Sequence, residues 1–390
     1  KKLVMIGVTG TKGKTTTTHM IRAILLAAGK KVGMIGTTGT VIGDVVTPTL
    51  NTTPESYELH QAFAQMVEAG CEYAVMEVSS QGIKMHRTDG LYFNYAIFTN
   101  ISPDHIGPGE HADFEEYLYY KTRLLNMCGI GLVNKDDKHA PQIIKAANCE
   151  LCTYSEESKE ADFVASDIRY VSQPDFVGTE FHISGKYDME VRLGIPGLFN
   201  VVNALAAVSV CSFLGLDQAR ISHALENIRV NGRMEIVYTS ERCTVLVDYA
   251  HNAVSMESLL STLRDYKPKR LVCVFGCGGN RSKDRRYSMG EIGGKMADLS
   301  IITADNSRYE KVEDIIADIR GSIEKTGGKF IEIPDRREAI RYSILHAQPG
   351  DMVAVIGKGH EDYQEINGVR HHFLDREVIE ETVKELGEKA

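Results

Sequence analysis

The chain has 390 residues, 43% of them hydrophobic and 25% charged, the make-up of an ordinary globular protein of about two or three domains. Its 44 basic and 53 acidic residues leave a net charge of −9, which argues against a general nucleic-acid or anionic-membrane binder. Eight cysteines are scattered along it, and the close pair Cys149 and Cys152 has no zinc-like companions, so a chance spacing in a reduced, cytoplasmic chain is expected.

Lys1-Lys2 leads straight into an apolar run at 3–6, with no sign of a secretory leader. Then comes Gly7-Val-Thr-Gly-Thr-Lys-Gly-Lys-Thr-Thr-Thr-Thr18, followed by a helical pattern over 19–28. Strand, glycine-rich turn and helix start make a phosphate cradle, in which backbone N–H groups and the helix dipole face the anion and a lysine reaches the outer phosphates. Val8 stands where the strict pattern asks for glycine, so the motif is the short Gly10-x-x-Gly13-Lys14-Thr15. A chance turn before a helix is the bland alternative, and the complete strand–loop–helix context disfavours it.

Residues 31–35 read as a strand and 36–43 as a glycine- and threonine-rich loop. Asn51-Thr-Thr-Pro-Glu-Ser56 opens a helix over 57–68, its hydroxyls serving either as a cap or as a ligand loop. Apolar strands at 73–78 and 95–99 carry Glu77 at one C-terminal end and lead to Asn100, Asp104 and His105 after the other. Strand C-terminal ends form the crevice of open parallel sheets, so Glu77 and His105 are expected near the phosphate loop, in magnesium and phosphate chemistry. A helix over 113–127 carries Lys121, which alone would pass for a surface lysine. A strand at 131–134 and alternating hairpin-like stretches in 156–192 follow, then helices over 197–214 and 218–228. The apolar run 201–216 is too short and too polar to span a bilayer.

A second α/β series starts near 232, with strands at 244–247, 271–275, 299–303, 329–333 and 352–356. Three glycine- or asparagine-rich loops follow successive strands: Gly276-Cys-Gly-Gly-Asn-Arg281, Asp305-Asn-Ser-Arg308 and Gly357-Lys-Gly-His-Glu361. Each alone is an ordinary turn, whereas together they point to one shared crevice. The expected fold class is therefore α/β. A P-loop central ATPase domain with a parallel sheet, 1–231, precedes a C-terminal Rossmann-like α/β domain, 232–390.

These segments resemble the Mur ligases, the ATP-dependent amide-forming enzymes of peptidoglycan precursor synthesis. Besides the P-loop, the resemblance rests on Thr52-Thr-Pro54, Met76-Glu-Val-Ser-Ser80, Thr99-Asn100, Asp104-His105 and Lys121. It continues through Asn203-Ala-Leu-Ala-Ala207, Gly232-Arg-Met-Glu235, Asp248-Tyr-Ala-His251, Phe275-Gly-Cys-Gly-Gly279, Asp305-Asn306, Gly357-Lys-Gly-His-Glu361 and Tyr363-Gln364. Within the family the chain is most similar to the MurE branch, which adds the third peptide residue to UDP-N-acetylmuramoyl-L-alanyl-D-glutamate.

The resemblance implies roles. Gly10, Thr11, Lys12, Gly13, Lys14, Thr15 and Thr16 would hold the ATP phosphates. Thr15, Glu77, His105 and a carbamoylated Lys121 would bind catalytic magnesium. Arg233, Asp248, His251 and Asn280 would surround ATP and the reacting phosphate, with His251 counted as catalytic beside Lys14, Glu77, His105 and Lys121. Thr52, Thr53, Ser79 and Arg87 would hold the acceptor, a peptide carboxylate such as the UDP-N-acetylmuramoyl dipeptide. Asp305, Asn306, Arg308, Gly357 and Glu361 would form the pocket for the incoming amino acid, with Arg308 gripping the distal carboxylate of diaminopimelate. ATP and Mg2+ are the implied cofactors, with no nucleic-acid or membrane partner.

Departures from the family pattern bear on the substrates. The sequence starts directly at the first P-loop strand, where the family's MurE branch first carries a uridine-binding domain, so either that domain is cut away or the acceptor differs. In addition, Gln81 replaces a histidine, Ile106 to Gly109 replace Asp-Tyr-His-Gly, and Ser307 replaces a proline. A related ligase with a non-nucleotide acceptor, of glutamate or cyanophycin type, therefore stays open. A folylpolyglutamate synthetase-like enzyme or a silent ATP-binding protein fits less well. A plain P-loop kinase or GTPase is disfavoured by Val8 and by the second α/β series.

Overall fold

The computed structural model describes residues 3–387, which divide into two compact units. The first takes residues up to 169 with 180–193 and 198–228, and the second takes 170–179, 194–197 and the chain from 229 on. The Lys1-Lys2 start, on which the expectation of no leader rests, lies outside the described residues.

The chain begins with β1 (Val4–Thr9), α1 (Lys14–Ala27), β2 (Val32–Gly36), β3 (Gly39–Ile42), β4 (Val45–Thr47), α2 (Ser56–Glu68), β5 (Tyr73–Glu77), α3 (Ser80–Lys84) and β6 (Phe93–Phe98). It continues through α4 (Phe114–Thr122), β7 (Cys128–Asn134), α5 (Ala140–Ala146), β8 (Glu150–Ser155), β9 (Phe163–Gln173), β10 (Phe176–Gly185), β11 (Met189–Leu193), α6 (Leu198–Phe213) and α7 (Gln218–Glu226). The strands form one sheet in the order β11-β10-β9-β8-β7-β6-β1-β5-β2-β3-β4. Its centre, from β2 to β8, is parallel. β1 is its pivot: Val8 pairs with Glu77 on one side and Thr9 with Phe98 on the other. The chain leaves β1 toward β2 and later returns to β6 on its opposite flank, so the C-terminal ends of β5, β1 and β6 open a crevice. Ile6 to Thr9 are all buried, the unbroken run of a parallel strand covered on both faces.

Two expectations change here. Residues 36–43 are not a plain loop, because β3 and β4 add antiparallel edge strands beyond β2, pairing Gly33 with Ile42 and Thr40 with Thr47. The helix expected over 113–127 is shorter. Asp113 caps it by accepting the Glu116 N–H at 2.8 Å, and after Thr122 a tighter 3-10 turn, Arg123–Asn126, buries Leu124 and Leu125. The core against this face joins Leu59 and Met66 of α2, Met76, Phe93, Phe98 and Tyr117. α6 is a buried helix, and no described helix is long and apolar enough to cross a membrane. Every cysteine is free, and burial pushes the Cys152 thiol up to about 12.

The second unit adds β12 (Glu235–Thr239), β13 (Cys243–Asp248), α8 (Ala253–Asp265), β14 (Arg270–Phe275), α9 (Asp284–Met296), β15 (Leu299–Ile302), α10 (Val312–Thr326) and β16 (Phe330–Glu332). It ends with α11 (Arg336–Leu345), β17 (Asp351–Ile356), β18 (Tyr363–Ile366), β19 (Val369–His372) and α12 (Asp375–Glu385). Its sheet runs β12-β13-β17-β14-β15-β16, parallel except for the β12 edge. Its own core joins Val245, Val274, Ile301, Val353 and Ile340. The β18–β19 hairpin turns on Asn367-Gly368, at φ +50° and +76°, as a two-residue hairpin turn demands.

Candidate active site

In the first unit the phosphate cradle is built by close backbone packing. Gly10 and Gly13 adopt φ +146° and +85°. A Cβ on Gly10 would sit 1.9 Å from Thr99 Oγ1, and one on Gly13 would sit 2.3 Å from Asn203 Oδ1. The loop is tied to the chain after β6: the Thr11 N–H donates to the Asn100 carbonyl at 2.9 Å, the Lys12 N–H to Asn100 Oδ1 at 2.9 Å, and Thr99 Oγ1 to the Lys12 carbonyl at 2.7 Å. α1 then starts at Lys14 without a side-chain cap, which leaves its first turn to an anion. Lys14 Nζ curls over the loop, donating to the carbonyls of Gly10 and Thr11 at 2.9 and 3.1 Å. Thr16 is buried one step further on.

Glu77 is only 1% exposed. Its carboxylate accepts from Thr15 Oγ1 at 3.0 Å on each oxygen, from the Thr37 N–H at 2.9 Å and from Thr37 Oγ1 at 3.2 Å. A buried carboxylate beside two threonine hydroxyls is a hard-oxygen donor set, so the residues present fit Mg2+. Lys121 is 2% exposed, donates to the Gly10 carbonyl at 2.8 Å and lies 4.6 Å from the Tyr117 ring centre. Burial foremost, then the Lys14 charge, holds its amine well below the ordinary lysine range, with Asp104 pulling the other way. Lys121, which by itself would pass for a surface lysine, is thus a buried amine beside the cradle. Tyr117 in turn bonds Thr11 Oγ1 at 3.1 Å and faces the His105 ring at 6.2 Å. His105 itself is solvent-facing and pairs with Glu110 at 3.0 Å. Among the described residues no three His, Cys, Asp or Glu side chains form a ready-made metal cluster.

The expected acceptor residues gather beside β5. Thr53 Oγ1 donates to the Glu77 carbonyl at 3.0 Å and accepts the Ser79 N–H at 2.9 Å. Arg87 donates to the Thr53 carbonyl at 3.2 Å and pairs with Glu55 at 2.7 Å, while Thr52 and Thr37 share a hydroxyl contact of 3.1 Å. Gln81, which departs from the family pattern, donates through Nε2 to the carbonyl of Gly109 at 2.9 Å, at the end of the altered 106–109 segment.

In the second unit the ends of β13, β14, β15 and β17 open on a cavity of about 460 Å³. Asp305, Asn306, Arg308, Gly357 and Glu361 all line it, together with His251. Asn306 Nδ2 donates to Glu361 at 3.1 Å, and the fully buried Lys358 Nζ reaches Asn306 Oδ1 at 3.2 Å and Glu361 at 3.4 Å. Arg308 sits at φ +52°, gives Nη1 to the Gly279 carbonyl at 2.7 Å and lies 3.4 Å from Glu365 through Nε. These contacts leave the second Nη1–H and the two Nη2–H donors to meet a carboxylate at two points. Asp248 accepts from the Met234 and Ala250 N–H groups, each at 2.8 Å, and burial dominates in raising its pKa. His251 donates Nδ1–H to the Tyr249 carbonyl at 2.8 Å, which leaves Nε2 as the lone-pair nitrogen. Arg233 stacks 4.8 Å from the Tyr249 ring. Asn280 is not among the residues that line the cavity; its N–H is on Glu310 and its Oδ1 takes the Tyr309 N–H at 3.2 Å.

Sequence reasoning missed several residues. Tyr249, Arg281, Arg285 and Tyr363 line the cavity, and Thr37 holds Glu77. Arg281, Tyr249 and Tyr363 lie inside or beside the motif segments, so position was their signal. Arg285 and Thr37 carried none.

Comparison with known proteins follows this division. Residues 8–211 match the Mur ligase middle domain, and residues 232–359 match the Mur ligase glutamate ligase domain. A UDP-N-acetylmuramoyl-L-alanyl-D-glutamate–2,6-diaminopimelate ligase of Caldanaerobacter subterraneus is 40% identical over 390 residues, covering 98% of this chain and 79% of that protein. The ligase of the same name from Geobacillus thermodenitrificans is 39% identical, with coverages of 98% and 79%. A solved ligase of that name superposes with a TM-score of 0.77 at 34% identity, covering all of this chain and 80% of that one. A Mycobacterium tuberculosis folylpolyglutamate synthase, at 18% identity and a TM-score of 0.67, shares the fold. With both domain types matched in order and relatives at this identity spanning nearly all of its length, the chain belongs to the Mur ligase family.

Proposed function

We propose that this chain is a cytoplasmic ATP-dependent ligase that joins meso-2,6-diaminopimelate to the free carboxylate of UDP-N-acetylmuramoyl-L-alanyl-D-glutamate, releasing ADP and phosphate. The observation that carries the amino-acid half is the cavity of the second unit. It mixes Arg308, Arg281 and Arg285 with Asp305 and Glu361, a pattern suited to a ligand bearing both ammonium and carboxylate groups. The three ligases named above carry 2,6-diaminopimelate in their names.

In this reading the cradle binds the ATP phosphates through the first turn of α1, and Lys14 leaves its loop carbonyls to neutralise charge on the transferred phosphoryl group. Thr15, Glu77, His105 and Lys121 would hold Mg2+, which when bound screens the phosphate oxygens from one another. A carbamate on Lys121, formed as the neutral amine adds to carbon dioxide and sheds a proton, would give that position a negative charge, and burial that lowers the amine's basicity favours the neutral form that reacts. Thr52, Thr53, Ser79 and Arg87 orient the acceptor carboxylate, which takes the phosphoryl group to become an acyl phosphate. Asn306, Arg308 and Glu361 fix the amino acid so that its amine attacks the acyl carbon and expels phosphate. His251 Nε2 takes the proton that the amine sheds. Arg233, Asp248 and Asn280 support the nucleotide.

The test is a panel of amino acids offered with ATP and the muramoyl dipeptide, product being read by mass. Incorporation of meso-diaminopimelate well ahead of lysine is expected, and lysine as the favoured substrate refutes the assignment. A second reading, a non-nucleotide peptide acceptor, is favoured by Gln81, which stands in place of the family's histidine and bonds the carbonyl of Gly109 at the end of the altered 106–109 segment. Product formed with a bare glutamyl peptide and not with the nucleotide-linked one would establish it.

A further inference from the structure

Neither side chain of the Arg336–Asp375 ion pair is exposed. Arg336 opens α11, Asp375 opens α12, and the guanidinium meets the carboxylate with Nε and Nη2, each at 2.7 Å. The fork then does something further. Nη1 donates to the Ala304 carbonyl at 3.2 Å and Nη2 to the Ile356 carbonyl at 3.0 Å. Ala304 immediately precedes Asp305, and Ile356 immediately precedes Gly357, both of which line the cavity. β15 and β17 are not neighbours, since β14 lies between them. Arg336 therefore ties the ends of two strands across the end of a third, whose own loop, Gly276 to Gly278, lines the same cavity. Backbone contacts reinforce the tie: the Ala304 N–H donates to the Pro334 carbonyl at 3.2 Å, two residues before Arg336.

We propose that Arg336 and Asp375 are positioning residues that set the spacing of the Asp305–Arg308 and Gly357–Glu361 loops, and so the fit of the incoming amino acid. This rests on the ligase reading above. A planar fork with donors on adjacent nitrogens spans two carbonyls and a carboxylate at once, whereas an ammonium on a flexible stem cannot hold all of them in one geometry. Asp375 neutralises the buried charge, so the strut adds no uncompensated cation beneath a cavity that must also receive a carboxylate.

The experiment uses the full chain with Arg336→Lys and with the paired Arg336→Met/Asp375→Leu. The paired change removes both charges together, so no buried ion is orphaned. Thermal unfolding, amino-acid KM, acceptor KM and kcat are read for each by phosphate release. The paired variant is expected to fold and to raise the meso-diaminopimelate KM at least about tenfold, with kcat and the acceptor KM changed by less than about threefold. Arg336→Lys is expected to fall between. A purely structural role lowers kcat and melting temperature and leaves the amino-acid KM where it was, and that result overturns the proposal. If the paired variant does not fold, Arg336→Lys alone decides, and an unaltered KM overturns the proposal equally. Absence of amino-acid-dependent phosphate release from the unaltered protein is a different failure, since it refutes the ligase reading and takes the proposal with it.

Discussion

Replacing Gly10 by alanine should damage the phosphate cradle far more than its small size suggests. Gly10 holds φ +146°, and the new Cβ would lie 1.9 Å from Thr99 Oγ1 and 3.1 Å from both the N and O of Asn100. The backbone strain of a side chain in a glycine-only region is about 1–3 kcal/mol. Forcing an extra carbon into packed surroundings adds about 1–3 kcal/mol. Thr99 cannot yield freely, because its hydroxyl already donates to the Lys12 carbonyl at 2.7 Å, nor can Asn100, which anchors Thr11 and Lys12. The sum is about 2–6 kcal/mol, and it falls on the loop that must accept phosphate. Gly29 is the control. It also has positive φ, +75°, but a Cβ there meets nothing within 4 Å, so Gly29→Ala should cost about 1 kcal/mol of stability and nothing in nucleotide affinity. Urea unfolding and titration calorimetry with ATP separate the two effects. Gly10→Ala should weaken ATP binding at least about tenfold. Equal ATP affinity in both variants would mean that the loop is not the phosphate site.

Further outcomes are expected. Lys121→Ala should lower kcat about 10²–10³-fold, as loss of a preorganised charge at a phosphoryl-transfer site does, with partial recovery in short-chain carboxylates; full activity without them would remove the carbamate. Arg308→Met should forfeit about 1.5–3 kcal/mol of charge-assisted hydrogen bonding, raising the diaminopimelate KM about tenfold or more and leaving the acceptor KM in place. A KM shift confined to the acceptor would relocate Arg308's role. Burial first, and then the Arg233 charge, holds the His360 imidazole below the ordinary 6.5. The unfolded chain then takes up a proton that the folded chain refuses, so stability should fall as pH drops through about 6.5, and it should not recover further down. Unfolding curves from about pH 7 to 5 should show that fall reduced in His360→Gln; an identical fall would assign it to other groups.

How much the sequence carried depended on whether a signal was local. Glu77, Ser79 and the loops after β14, β15 and β17 were legible because strand ends and glycine-rich turns are written in neighbouring residues. β3 and β4 were not, since the pairing of β3 with β2 and of β4 with β3 is a tertiary choice that glycine and threonine content conceals. The β18–β19 hairpin was signalled by Asn367-Gly368 and overlooked beside the Gly357 loop. Lys121 looked like a surface lysine on helical periodicity, and only the resemblance gave it a role. Its burial depends on packing against Tyr117 and on the approach of Gly10, 111 residues away in sequence. Thr37 and Arg336 left no local mark, because each acts through a partner contributed by a distant element.

The central claim is that ATP cleavage is spent on joining two substrates. Phosphate release measured with ATP and Mg2+ while acceptor and amino acid are each left out in turn tests it most directly. Rapid release only when UDP-N-acetylmuramoyl-L-alanyl-D-glutamate and meso-diaminopimelate are both present is the expected result. Release at the same rate with either one missing would contradict the account.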